Sequence, residues 1–200
     1  MRKTTHNILY PLLLWVCLML SLFAAGTAGN KELHAAAAHV PRGIAGLELG
    51  MTPEQVGQLF TIKEDIDPVA ALLTKYGKSE AGEAVSRQNK ALKKRFFRIS
   101  SGVGQLPDGV TSADVRTTHN VVYQIGFHYN ESSVKKIGWQ GITSPYLAKY
   151  GKPTKDTGSG YIWDDGRSRL DIDSSGKTIN VFFTDQALET EVKKGERENP

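Results

Sequence analysis

The chain has 200 residues, with a formal net charge of +4 and a single cysteine. That length suits one domain or two small fused repeats. The balance of 25 basic and 21 acidic residues demands no nucleic-acid partner, and one cysteine excludes an intrachain disulfide framework and a Cys-based zinc site.

Residues 1–28 have the three-part layout of a secretory signal peptide. Arg2 and Lys3 precede an apolar run over 8–25, and small residues follow at Ala24, Ala25, Gly26 and Ala28. Cleavage near Ala28 is expected, which leaves a periplasmic or otherwise extracytoplasmic protein. The alternative is an uncleaved anchor in the inner membrane, since the run is about 18–20 residues long. Cleavage removes Arg2, Lys3 and Cys17 and no acid, so the formal charge falls from +4 to +2. Residues 29–42 read as a spacer. His34 and His39 lie five apart within it and fall on different helical faces, so no metal site is expected there.

The most specific local pattern spans residues 46–60. Thr52 is a natural N-cap, Pro53 fits the first helical position, and Gln55 completes a capping box. Met51, Gln55, Leu59 and Val56, Phe60 follow at helical spacing. The run Leu49-Gly50-Met51-Thr52-Pro53-Glu54-Gln55-Val56 resembles the helix start of small envelope lipoproteins of the BamE/SmpA type. It is similar as well to the related β-lactamase-inhibitor-protein-like domains. The resemblance implies short helices packed on an antiparallel sheet and a binding or scaffolding role. The lipoproteins carry a lipidated cysteine at the mature N-terminus. Here Cys17 follows the bulky Val16 inside the apolar run and offers no such site.

A duplicated plan is the next feature. Leu73-Thr74-Lys75-Tyr76-Gly77-Lys78-Ser79 returns as Leu147-Ala148-Lys149-Tyr150-Gly151-Lys152-Pro153, with five of seven positions identical. Each copy ends a helical pattern at Tyr-Gly, where glycine suits a left-handed cap. The fold class expected is α+β, in two degenerate units of short helices plus a three-stranded antiparallel meander. The first unit spans 43–130 and the second 131–192, with a charged tail at 193–200 that joins no core.

In the first unit a short helix begins at Asp67-Pro68. An inserted helix follows over 79–93, with Ala81, Val85 and Leu92 on its apolar side. Strands are expected over 95–100, 112–117 and 121–129. Strict alternation sends Val121, Tyr123, Ile125, Phe127 and Tyr129 to the core. His128 is then a solvated residue of the opposite face, and His119 a turn residue. In the second unit Ser132 or Ser133 caps a helix interrupted at Gly138 and Gly141 and restarted at Pro145. The strands 160–164 and 167–173 flank Asp165-Gly166, a strong hairpin signal, and a third strand covers 178–184. A short helix covers 185–192.

Asp171-x-Asp173-x-Ser175-Gly176 matches the start of a calcium loop, but Phe182 stands where the closing Glu belongs. A hairpin with its acids toward water is expected instead. Arg87, Lys90, Lys94 and Arg98 belong to the one basic cluster, on the inserted helix and the strand after it. They are the candidate contacts for an anionic partner, lipid headgroups included, so peripheral membrane contact is among the partner classes admitted. No paired-carboxylate or Ser-His-Asp motif appears, so no catalytic residue, cofactor or metal is assigned. The function expected is a non-catalytic binding or scaffolding protein of the bacterial cell envelope, its partner a protein or other envelope component. The alternative is an envelope hydrolase or small-ligand-binding protein with a site assembled only in three dimensions.

Overall fold

The computed structural model describes Val40 and residues 42–198. The signal segment, Cys17, His34, His39 and all of the spacer but Val40 and Arg42 lie outside the described residues. Those two spacer residues are not loose. Val40 is buried and donates its amide to Asp165 Oδ2 at 3.0 Å. Arg42 pairs with Asp185.

A two-strand hairpin, β1 (Gly43–Ile44) and β2 (Leu47–Glu48), opens the fold. Helix α1 (Pro53–Leu59) follows, capped as its residues demand. Thr52 Oγ1 accepts from the Gln55 amide, and Gln55 Oε1 accepts from the Thr52 amide. The helix buries Val56 and delivers Phe60 to the core. Strand β3 (Thr61–Asp65) comes next. It was not expected, because only Ile62 in it is apolar. It pairs on one side alone, with β4 (Arg95–Ser100), and an edge strand keeps polar residues toward water.

Between β3 and β4 stand α2 (Pro68–Lys75) and α3 (Ser79–Ala91). They meet closely at Gly82, where a Cβ would lie 2.6 Å from Thr74 Oγ1 and 2.9 Å from the Ala70 carbonyl. Ala81 is exposed and Asn89 buried, so the buried face of α3 is rotated from the expected one. Strands β5 (Ser112–Thr118) and β6 (Val121–Tyr129) are joined by His119 and Asn120, with φ of 50° and 64°. That is the geometry of a two-residue hairpin turn whose twist suits the strands.

Helix α4 (Glu131–Tyr150) is capped by Asn130 rather than Ser132 or Ser133, and it breaks at Gly138 (φ 77°, ψ 161°). Strands β7 (Lys155–Asp156), β8 (Gly160–Asp164), β9 (Ser168–Ser175) and β10 (Thr178–Asp185) follow. The last helix, α5 (Gln186–Glu198), runs well past Val192. The expected charged tail is therefore helical through residue 198 and docked at Glu196. Glu196 pairs with Lys94, and Gln88 donates to the Glu196 carbonyl.

The fold class is α+β. The large sheet has eight strands in the order β3-β4-β5-β6-β10-β9-β8-β7, all antiparallel. Two four-stranded meanders thus meet at the β6/β10 pair. One core serves both, since Phe97, Val115, Ile125, Phe127, Val181, Phe183, Leu170 and Trp163 belong to one buried cluster. Val56 of α1 and Ile142, Tyr146 and Tyr150 of α4 join it.

The Tyr-Gly repeat does not mark equivalent places. Gly77 and Gly151 both have positive φ, 74° and 70°. But Tyr76 is 71% exposed and Tyr150 3%. Helix α2 follows its edge strand β3, whereas α4 precedes β7. Shared helix-end chemistry explains the likeness.

Candidate functional site

The sheet face opposite the core is where polar chemistry collects. Alternation along β5, β6, β10 and β9 sends Asp114, His128, Asn180, Phe182, Arg169 and Asp171 to that face. The register of β5 on β6 slips between Arg116 and Thr117. That bulge overturns the strict alternation expected of β6. Val122 is fully buried with the core, while Tyr123 lines a cleft beside Arg116 and Phe96.

His128 is no solvated bystander. Its Nε2 lies 2.5 Å from Asp114 Oδ2 and its Nδ1 2.8 Å from Asn180 Oδ1. Both ring nitrogens are engaged, and the adjoining Asp114 carboxylate favours the protonated ring. The hydrogen bond to Asp114 raises the His128 pKa against the opposing effect of burial. The partners stand on β5 and β10, so the imidazole bridges three strands and crosses the junction of the two meanders.

Gly126 makes room for this cluster. A Cβ there would lie 2.9 Å from Asp114 Oδ2 and 3.1 Å from the Phe182 ring. Phe182 meets the imidazole edge to face, with ring centroids 5.7 Å apart. Asp114 is 6% exposed, and its Oδ1 has no hydrogen-bond partner. Further along, Arg169 Nε donates to Asp171 Oδ2 at 2.6 Å. Burial pushes the Asp171 carboxyl up although Arg169 opposes it.

No reactive oxygen or sulfur stands at the free end of a base here, because both His128 nitrogens are committed. The cluster is a polar network in which only the buried Asp114 Oδ1 lacks a partner, and what it can do is hold a fixed donor and acceptor pattern on the sheet. Among the described residues no group of three His, Cys, Asp or Glu side chains is placed to hold a metal ion. Asp171 and Asp173 lie within β9, which runs into a turn and β10, the hairpin expected, but only Asp173 faces water, Asp171 being half-buried against Arg169.

The basic cluster is dispersed by the fold. Arg87 pairs with Glu83 on the exposed side of α3. Lys94 is held by Glu196 at 2.5 Å, and Arg98 by Asp65 at 2.6 Å. Lys90 faces a cleft of about 430 Å³ where α3 meets the ends of β3 to β6. Neither the cleft nor the His128 bridge was legible in the sequence. The one available signal was the alternation that placed His128 and Gln124 on a common face.

No family model, curated protein or solved structure matches this chain. Among the described residues no helix is long and apolar enough to cross a membrane.

Proposed function

We propose that the chain is an exported, non-catalytic binding protein of the bacterial cell envelope, which engages a protein partner through the second face of its sheet. One observation carries this reading. The row of half-buried His128, Asn180, Phe182, Asp171 and Arg169 on the buried Asp114 is internally hydrogen-bonded and aromatic-bearing, yet still reaches the surface. His128 keeps 30% of its side chain exposed, Arg169 30% and Asp171 22%. A preorganised patch of this kind binds without losing much side-chain freedom. The engagement of both imidazole nitrogens disfavours the hydrolase alternative, which needs a base with a free lone pair.

Export rests on the layout of residues 1–28, and the envelope on the BamE/SmpA-like run at 49–56. The two meanders β3–β6 and β7–β10, entered from α1 and α4, are read as degenerate copies set about the antiparallel β6/β10 pair. Residues 43–130 and 131–192 then remain the two units, each meander having one more strand than expected.

A photo-crosslinking side chain placed at Phe182 or Arg98 in intact cells should give a discrete adduct, with none from a control at the exposed Lys152. Equal labelling from all three positions, or from none, would refute a partner on this face. Full-length protein that keeps residues 1–28 and sediments in the cytosol would refute export.

A further inference from the structure

The cleft at the α3 end of this sheet face is a second site, separate from the His128 network. Its floor is Arg116, whose guanidinium lies over the Phe96 ring at 5.8 Å. The Arg116 Nε is buried and has no hydrogen-bond partner. Tyr123 closes one side, and burial raises its phenol pKa to about 12, so it stays a neutral donor. Lys90 on α3 and Lys93 in the turn just after it stand on one wall.

The charge count favours an anion. Of the acids that line the cleft, Glu64 is bound by both Nε and Nη2 of Arg95, and Asp65 is taken by Arg98. Asp67 accepts from the Val69 amide as the cap of α2. Lys94 is spent on Glu196. Lys90, Lys93 and Arg116 have no carboxylate partner within the cleft. Arg116 is half-buried and lines the cleft, so its guanidinium brings a positive charge to the cleft floor. The space, about 430 Å³, falls within the range of small-ligand pockets.

We infer that this cleft binds a phosphate group, seated between Arg116 and the Lys90 and Lys93 ammonium groups, with Phe96 and Tyr123 against the apolar body of its carrier. Asp67 keeps its charge on accepting an amide bond, so three cations against it leave a net +2, which matches a dianionic phosphate better than a single carboxylate. The carrier is a soluble phosphomonoester or a phospholipid headgroup, and the recognition chemistry is the same for both.

The test uses the mature protein. Isothermal titration with phenyl phosphate addresses the soluble source. Cosedimentation with phosphatidic acid vesicles, against phosphatidylcholine vesicles, addresses the lipid. Binding in either arm is expected, and it should weaken as salt rises. The exposed pair K90E/K93E keeps the fold and should lose affinity by about tenfold or more, because each contact to a charged group contributes at least that much. Arg116→Gln should lose a similar factor, and circular dichroism must show it folded. A charge reversal at the distant, exposed Lys152 should leave affinity unchanged. No binding in either arm would overturn the proposal. So would binding that K90E/K93E leaves intact, or that Lys152→Glu weakens equally.

Discussion

Replacing His128 by Leu should destabilise the protein by an amount that depends on pH. In the native protein the imidazolium is bonded to Asp114 and Asn180. Asp114 is 6% exposed and one of its oxygens is already unpartnered, so Leu leaves its carboxylate with no partner. Breaking a fully buried pair costs roughly 3–5 kcal/mol. The His128 side chain is 30% exposed, which screens the interaction, and about 2 kcal/mol is expected at pH 5.5. The sign of the pH dependence follows from linkage. The folded pKa of His128 is raised, chiefly by Asp114. Its stabilisation is therefore fully present below the unfolded value of about 6.5 and is lost as pH rises through the folded value. Above the folded value the neutral ring still donates one hydrogen bond, so the gap should shrink as pH rises, by about 1 kcal/mol. Urea unfolding of both proteins at pH 5.5 and pH 9 measures it, with unchanged m-values as the control. A gap that stays constant, or widens at pH 9, would refute the charged bridge.

Other perturbations test the frame around it. Thr52→Ala removes the capping box of α1 and should cost about 1 kcal/mol by urea unfolding, while Thr52→Ser should cost almost nothing. Gly151→Val should cost more than Gly77→Val, although a Cβ meets nothing within 4 Å at either. The reason is backbone conformation. Gly151 sits at φ 70° and ψ −152°, a region essentially reserved for glycine, with strain on the order of 1–3 kcal/mol. Trp163→Ala should cost about 3–5 kcal/mol, because the ring is 1% exposed and its Nε1 donates to the Gly151 carbonyl. Calcium should not raise the melting temperature, since Asp171 is paired with Arg169 within a strand; a shift of several degrees abolished by Asp171→Ala would overturn the hairpin.

Local chemistry wrote itself plainly into the sequence where neighbours along the chain decide the outcome. The cap at Thr52-Pro53-x-Gln55 concerns four consecutive residues, and it forms as read. The alternation Ile179, Val181, Phe183 is equally local and stands in β10, and the hairpin at Asp165-Gly166 forms with its turn centred one residue later, on Gly166 and Arg167. Positive φ at Gly77 and Gly151 follows from helix-end geometry alone. Places in the fold do not, which is why two like heptads ended at an exposed Tyr76 and a buried Tyr150. Strand β3 was illegible because an edge strand needs no apolar alternation, only a partner, and β4 lies beyond two helices. The bulge opposite Arg116 arose from pairing, so β6 alone could not disclose that Val122 would replace Tyr123 in the core. The docking of α5 depends on Lys94 and Gln88, about a hundred residues away. The His128 bridge joins residues 14 and 52 positions apart, on strands whose adjacency only the β6/β10 pairing creates. Periodicity selects the face a side chain takes; the sheet order decides which charges meet there.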